Sequence, residues 1–231
     1  DNDGNQHVQI NSNLADIDIN GKFKIAEVAD VFRETLHSYY PNSIDSPTHQ
    51  PTNADFTYSV RTHNISPVLS LFLPNAKGGN NAEIKGKMDM TEKKVTLQGT
   101  IPDLTYEGKS FKQIKINEIG DELKLNSDIS AEDIRLSDSF HLPGAHLYVA
   151  SQNDSSIIQL KTGSNNTIQE AELNASFQGY SNGFKLHFFP SGFYINDKKW
   201  TLEKDGELIL RKDQIKINDI RFVQGNQSLR L

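Results

Sequence analysis

Gln113-Ile-Lys-Ile-Asn-Glu-Ile119 recurs as Gln214-Ile-Lys-Ile-Asn-Asp-Ile220, and both copies alternate polar with apolar residues. Successive side chains of a β-strand point to opposite faces. Alternation with a period of two therefore predicts a strand with one apolar and one polar side. The recurrence has two interpretations, namely two similar strands or two copies of a repeated β module.

The same alternation continues along most of the chain and predicts an all-β fold of mainly antiparallel strands. Turn residues separate the alternating runs at intervals of about ten residues, which is typical of a meander of short strands. Lys204-Asp205-Gly206-Glu207 is the strongest hairpin signal, because Asp-Gly suits a type I′ turn and alternating residues flank it. Asn196-Asp197 and Gly225-Asn226 are weaker signals of the same kind.

Two segments have helical rather than strand periodicity. Apolar residues recur at helical spacing over 26–40, and Pro41 ends this run. Ser66-Pro67 is typical of a helix start and predicts a short helix near 67–73. We expect residues 1–231 to form a single elongated unit with a helical insertion at 26–53, as an internal segment of a longer chain.

Composition excludes several function classes. The chain has 231 residues, a net charge of −6 and no cysteine. Without cysteine, disulfide scaffolds, thiolate metal sites and cysteine nucleophiles are excluded. The acidic balance and the lack of a basic stripe argue against nucleic acid as a partner. No apolar run approaches the ~20 residues that a membrane-spanning helix needs.

The sequence offers no spacing that is typical of a catalytic, metal or phosphate site. His141 and His146 flank Leu-Pro-Gly-Ala, which favours a solvated turn over a metal loop. We therefore expect no enzyme activity, no metal and no cofactor. Trp200, the sole tryptophan, stands on an alternating run and is interpreted as a structural anchor in the core.

A sheet with one apolar face must have that face covered, by a second sheet, by closure, by a helix or by a ligand. The order of several motifs bears on this choice, although each motif alone is degenerate. They are Leu69-Ser-Leu-Phe-Leu-Pro74, Ile84-Lys-Gly-Lys-Met-Asp89, Leu104-Thr-Tyr-Glu-Gly108, Phe193-Tyr-Ile-Asn-Asp-Lys-Lys-Trp200, Ile215-Lys-Ile-Asn-Asp-Ile-Arg-Phe222 and Asn226-Gln-Ser-Leu-Arg-Leu231.

In this order, over about 55–231, the chain resembles the TamB family of translocation and assembly modules, of the Bacteroidetes type. The resemblance implies the AsmA-like superfamily, whose members are anchored in the inner membrane by a helix outside this segment and extend through the periplasm. It implies a curled, open β-groove, a taco-like half-barrel, that shields phospholipid acyl chains during transport and supports outer-membrane assembly. An outer-membrane barrel similar to BamA or TamA would be a partner through other parts of the chain.

The groove that this resemblance implies would be lined by apolar residues of the alternating runs. The candidates are Ile84, Met88, Val95, Leu97, Ile114, Ile116, Leu123, Leu125, Ile215, Ile217, Ile220 and Phe222.

A second interpretation keeps the same alternation but closes the apolar face. In it, the chain is a β-sandwich that serves as an adhesion or carbohydrate-binding module. Phe188, Phe189, Phe193 and Tyr194 would then form an exposed aromatic platform on one sheet face. An end-to-end apolar trough would favour the first interpretation, and a closed core with an aromatic patch would favour the second.

Overall fold

The fold is a single open antiparallel sheet with one α-helix among the described residues. Strands account for 64% of the chain and helix for 9%, which confirms the predicted all-β fold. The computed structural model describes residues 5–51, 53–66, 69–70, 73–137, 140–163, 170–195, 197–212 and 214–230.

The strands follow one another along the chain. They are interrupted by the helix α1 (Val28–Tyr39), which a 3₁₀ turn at Ile25–Glu27 precedes. The strands are β1 (Asn5–Asn11), β2 (Ala15–Lys22), β3 (Asp55–Thr62), β4 (Ala76–Gly78), β5 (Glu83–Asp89), β6 (Lys94–Tyr106), β7 (Lys109–Gly120), β8 (Leu125–Ser137), β9 (Phe140–Gln152), β10 (Ser155–Thr162), β11 (Ala171–Tyr180), β12 (Gly183–Phe188), β13 (Gly192–Ile195), β14 (Lys198–Leu202), β15 (Gly206–Arg211), β16 (Gln214–Asn218), β17 (Arg221–Gln224) and β18 (Gln227–Arg230).

The sheet is an up-and-down meander. β1, β2, β3, β5 and β6 pair in that order, β4 pairs with the far end of β6, and β6 to β11 continue strand by strand. Beyond β11 each strand is broken into two pieces. β12 and β13 both pair with β11, then β15 pairs with β12 and β14 with β13. β16 and β17 follow in the same way, and β18 pairs with β17.

The strongest hairpin signal in the sequence is wrong, and the two weaker ones are right. Strands β14 and β15, on either side of Asp205-Gly206, pair with different partners and run on in one line. By contrast, Ile195 pairs with Lys198 and Gln224 with Gln227, so both weaker signals fall between strands that are paired as hairpins. Asn196 itself lies outside the described residues. A β-carbon on Gly206 would lie 2.8 Å from Cγ1 of Ile220. Glycine is therefore required at this position because the chain packs closely against Ile220, and not because the chain turns here.

The register places apolar side chains together on one side of the sheet, which we call the apolar face. Paired residues of an antiparallel sheet share a face. One row therefore crosses the sheet through consecutive pairs, namely Ile17, Val60, Ile84, Gly99, Ile116, Ile129, Leu147, Leu160 and Leu173.

The opposite side, the polar face, carries ion pairs between neighbouring strands. Examples are His7 with Asp18 at 2.7 Å and Arg61 with Glu83 at 2.8 Å. These side chains are largely exposed, and such pairs contribute little to stability, typically about 0–1 kcal/mol each. The polar face is therefore in water, and the folding free energy must come mainly from the apolar face.

The helix α1 lies across the apolar face at one end of the strands. Val31 and Tyr39 are buried against a core that includes Phe56, Met88 and Val95. At its C-terminal end, the Tyr39 hydroxyl donates a 2.7 Å hydrogen bond to the carbonyl oxygen of Asp121. The helix, predicted over 26–40, is confirmed and holds β3 and β6 together with the β7–β8 turn.

The segment that follows α1 extends this cover to later strands. The hydroxyl of Tyr40 lies 2.9 Å from the Ser156 hydroxyl of β10, and the backbone N–H of Asn42 donates to the Asp154 carboxylate at 2.9 Å. Six strand spacings of about 4.8 Å, roughly 29 Å, separate β3 from β10 along the sheet. A twelve-residue helix is only about 18 Å long. The contacts at both ends indicate that the sheet curls around α1.

The short helix expected at 67–73 lies partly outside the described residues, because 67, 68, 71 and 72 are not described. The N–H of Leu69 donates to the Ile65 carbonyl, and that of Leu73 to the Leu69 carbonyl, both at 2.8 Å. These two bonds have the i to i−4 spacing of an α-helix.

Replacing Gly206 by alanine tests the packing role of this residue. We expect Gly206→Ala to lower the free energy of unfolding by about 1–3 kcal/mol, since the new methyl group overlaps Ile220. Gly206→Ala should cost less in an Ile220→Ala background, which removes the overlapping Cγ1 atom, and urea denaturation of the four proteins measures the coupling. If the losses of unfolding free energy in the two single variants simply add in the double variant, Gly206 is required for a reason other than its contact with Ile220.

Candidate functional site

Ten of the twelve groove candidates lie together on the apolar face. Strand pairing connects the N-terminal members with one another and, through β10, β11 and β12, with those near the C-terminus. The residues brought to this face are Ile84, Met88, Val95, Leu97, Ile114, Ile116, Leu125, Ile215, Ile217 and Phe222.

Two candidates do not line this face as open surface. Leu123 is 66% exposed and stands in the turn between β7 and β8, where the Asp121 carboxylate accepts hydrogen bonds from the N–H groups of Leu123 and Lys124. Leu123 therefore belongs to a turn, and its two-residue spacing from Leu125 does not reflect the alternation of a strand. Ile220 is only 5% exposed and packs on Gly206, so it belongs to the core.

The helix divides the remaining candidates into covered and uncovered residues. Met88, Val95 and Leu125 are buried beneath α1. They hold the helix in place and are not available to a guest molecule. This outcome corrects the expectation that they line an open groove. A periodic sequence shows which face a residue occupies but not what covers that face.

The uncovered part of the apolar face, which we call the open section, lies beyond α1. Its candidates Ile84, Leu97, Ile114 and Ile116 are half-buried rather than sealed. Farther along the sheet, Ile215 is 69% and Ile217 is 47% exposed. Large aliphatic side chains with this exposure form an apolar surface that the described residues leave accessible.

Sequence reasoning missed further members of the open section. Ile129 pairs with Ile116, Leu147 with Ile129 and Leu160 with Leu147, and all are half-buried. Their alternation was visible, but serine, alanine and proline neighbours weakened it.

A charged residue, Glu118, lies within the open section. Glu118 pairs with Leu97 on one side and with Ser127 on the other, which places its carboxylate on the apolar face. The Ser127 hydroxyl donates to this carboxylate at 3.4 Å. Burial raises the pKa of Glu118 above its ordinary value, and the hydrogen bond from Ser127 opposes part of this rise.

Tyr58 is the second polar group of this region. Its ring packs against Phe32 of α1 with centroids 5.2 Å apart, at the edge of the helix cover. Glycine at position 86 makes room for the ring, because a β-carbon there would lie 2.5 Å from the Tyr58 hydroxyl. Burial and the charge of Glu118 raise the pKa of Tyr58 to about 12. Within the described residues, its buried hydroxyl has no hydrogen-bond partner.

Trp200 stacks on an aromatic neighbour but is only half-buried. Its ring is nearly parallel to that of Phe193, at a centroid distance of 6.4 Å, and Phe193 contacts Phe222 at 5.1 Å. Trp200 therefore belongs to an aromatic cluster on the apolar face and not to a sealed core.

The aromatic platform of the alternative interpretation is split between two faces. Phe188 and Phe193 pair with apolar-face residues, whereas Tyr194 pairs with Lys199, whose ammonium group lies 5.9 Å from the ring centroid. Phe189 packs against His187 at 5.1 Å. Within the described residues the strands form one open sheet and not the two packed sheets of a β-sandwich.

A shallow cleft of about 630 Å³ runs along the apolar row, and its lining includes Ile17, Val60, Ile84 and Ile116 as well as polar neighbours such as Arg61. Among the described residues, no three histidine or acidic side chains converge in a way that could hold a metal ion. In that same part of the chain, no helix has the length and apolar content to span a membrane.

No protein-family model, curated protein or solved structure matches this chain.

Substitution of Trp200 tests the aromatic cluster. Trp200→Ala should lower the free energy of unfolding by about 1–3 kcal/mol, below the ~3–5 kcal/mol typical of a fully buried aromatic residue. Trp200→Phe should cost less, because it keeps a ring against Phe193. Urea denaturation measures both. A loss above about 4 kcal/mol for alanine would mean that Trp200 is sealed in the core.

The raised pKa of Glu118 predicts a specific pH dependence of stability. The folded state binds the Glu118 proton more tightly than the unfolded state does. Its favourable contribution is thus complete below the ordinary pKa of 4.5 and is lost as pH rises through the folded value. Relative to Glu118→Gln, which mimics the protonated form, the wild type should lose stability as the pH rises above the ordinary pKa of 4.5.

Urea midpoints measured at several pH values for both proteins test this expectation. Glu132→Gln, which removes an exposed carboxylate of β8, is the matched control and should follow the wild type. A constant difference between wild type and Glu118→Gln at every pH would mean that Glu118 is solvated like an ordinary surface residue.

Proposed function

We propose that the open section binds and shields acyl chains of lipids. The observation that carries the proposal is a wide sheet whose uncovered side is aliphatic and half-exposed, while the other side is polar and solvated. Exposed apolar area of this extent on one side of a protein is typical of an interaction site.

The energetics suit an acyl guest. Each methylene group that leaves water gains about 0.8 kcal/mol, so a ten-carbon stretch gains up to about 8 kcal/mol before the entropic cost of binding. The row from Ile84 to Leu160 repeats similar aliphatic contacts from strand to strand. A chain could then occupy several positions with similar free energy. Such a surface suits transfer along its length better than tight storage.

The helix α1 determines from which side a guest molecule can reach this surface. α1 covers one end of the strands and is held there by the hydrogen bond of Tyr39 and by that of Asn42 in the segment after the helix. Acyl chains would therefore enter and leave through the uncovered side. The proposed role requires no catalytic step, so the protein is proposed to act without enzyme activity.

The wider biological setting rests on the resemblance to the TamB family. In that setting the chain is a periplasmic segment of a bridge between inner and outer membranes, carrying phospholipid and supporting outer-membrane assembly. A TamA-like outer-membrane partner would contact other parts of the chain. These statements are predictions that lipid binding alone does not test.

A charge in the open section should abolish the binding of acyl chains. Ile116→Asp places an unpaired carboxylate against the guest chain, and we expect at least about a tenfold loss of affinity for a fluorescent fatty acid. Asn117→Asp adds the same charge one residue away on the polar face and should change affinity by less than about twofold. Fluorescence titration of the three purified proteins measures the effect.

Circular dichroism and urea denaturation must show that both variants are folded. Equal loss in Ile116→Asp and Asn117→Asp would place the guest elsewhere. A wild-type protein that binds no acyl chain at all would contradict the proposed function.

A further inference from the structure

The apolar row that crosses the sheet contains a member without a side chain. Gly99 lies in the middle of β6, where it pairs with Ile84 of β5 on one side and with Ile116 of β7 on the other. All other members of the row, from Ile17 to Leu173, are isoleucine, leucine or valine. The aliphatic surface is therefore interrupted between Ile84 and Ile116.

Neither the backbone nor the packing requires glycine at position 99. Gly99 does not adopt a positive φ. A β-carbon there would lie 3.6 Å from Cγ1 of Ile84 and 3.7 Å from Cβ of Ile116, which are ordinary van der Waals distances. At Gly86 on the same face, by contrast, a β-carbon would lie 2.5 Å from the Tyr58 hydroxyl. Glycine weakens the interior of a strand and often marks a place where a ligand approaches the backbone closely.

The space above Gly99, which we call the notch, has aliphatic walls on four sides. Ile84 and Ile116 flank it on the neighbouring strands. Leu97 and Ile101, each two residues away on β6, point to the same face and flank it along the strand. Gly99 is itself buried and lines the same cleft of about 630 Å³ as Ile84 and Ile116, so the notch is part of the floor of this cleft.

A straight acyl chain that lies along the row leaves the notch empty. It would contact Ile84 and Ile116 and bridge the gap between them, which spans two strand spacings or roughly 10 Å. Atoms that border an unfilled gap lose their van der Waals contacts on that side. A chain that is bent at its middle can place the convex side of the bend in the notch, while both arms stay on the aliphatic row.

The curvature of the sheet favours the same guest shape. The sheet curls around α1, as the contacts of Tyr39 and Tyr40 indicate, and α1 lies on the apolar face. The apolar face is therefore the concave side of the sheet. A bent chain follows a concave surface with its convex side against the protein, and this is the side that the notch receives.

We propose that the notch at Gly99 makes the open section selective for acyl chains that carry a cis double bond. The double bond lies over Gly99, with one arm directed over Ile84 towards Val60 and the other over Ile116 towards Ile129. The notch thereby defines a preferred position on a surface that is otherwise repetitive. This inference rests on the proposed acyl-chain binding and adds the class of chain that is bound.

A pair of geometric isomers tests the preference for a bent chain. Oleate and elaidate have the same head group, chain length and composition and differ only in the cis or trans geometry of one double bond. Each would displace a fluorescent fatty acid from the full chain at concentrations below aggregation. Oleate should bind about fourfold more tightly than elaidate, which is the gain in affinity expected for about one additional buried methylene group.

Variants of β6 assign this preference to the notch. Gly99→Val fills the notch and should reduce the ratio of the two affinities from about fourfold to about one. Gly99→Ala fills it in part and should give a ratio of about two. Thr96→Val is the matched control, because it adds the same valine side chain to the exposed polar face of the same strand. This control should retain the full ratio.

Urea denaturation separates a role in guest binding from a role in packing. The midpoint of Gly99→Ala should equal or exceed that of the wild type, since the new methyl group meets Ile84 and Ile116 at ordinary contact distances and restricts the unfolded chain. A lower midpoint for Gly99→Ala would mean that the fold itself requires glycine here, and it would overturn the role of the notch.

The binding results also distinguish this inference from the proposed function. Equal binding of oleate and elaidate, tighter binding of elaidate, or a preference that survives Gly99→Val overturns the selectivity but leaves acyl-chain binding intact. If the wild type binds neither isomer, the acyl-chain proposal itself fails.

Discussion

The apolar face of this sheet is wider than the single helix packed on it. The eighteen strands of the described residues join in one sheet, and alternate positions point apolar side chains to the same side. A twelve-residue helix about 10 Å wide covers only a few strands. Water therefore meets an aliphatic surface unless a guest covers it, and both the curvature and the proposed function follow from this imbalance.

The covered and uncovered parts depend on each other. α1 and the segment after it connect β3, the β7–β8 turn and β10 through Phe32, Tyr39 and Tyr40. These contacts fix the curl at one end of the strands, and the same curl continues into the open section because the hydrogen-bonded strands are long. The helix is thus a structural brace that also limits access to one side. The polar groups Glu118 and Tyr58 lie where this brace ends.

Alternation in the sequence predicted much of the fold, because a period of two directly reports the two faces of a strand. It placed Ile84, Leu97, Ile114 and Ile116 on one face without knowledge of their partners. It could not report what lies over that face, so Met88 and Val95 were assigned to an open groove although α1 buries them. Whether a residue is covered depends on contacts with segments that are distant in the sequence, and no local pattern contains this information.

Local turn chemistry was less informative than strand pairing. Asp205-Gly206 satisfies the rules for a tight turn, yet Gly206 serves the packing of Ile220 and the chain continues in line. The recurrent heptapeptide shows the same limit, since Ile119 is 56% exposed on the polar face and its counterpart Ile220 is 5% exposed. The positive φ of Asp219 shifts the alternation by one residue. Glu118 was overlooked because an acid in an alternating strand suggests a solvated position.

Isoleucine methyl NMR tests the central claim most directly, since isoleucines occur on both faces of the same strands. A long-chain fatty acid titrated into protein with labelled isoleucine methyl groups should shift and saturate the signals of Ile84, Ile116 and Ile129. The signals of Ile119 and Ile157, which lie on the polar face at 56% and 55% exposure, should stay in place. Equal shifts on both faces, or shifts confined to Ile119 and Ile157, would contradict an acyl-binding apolar face.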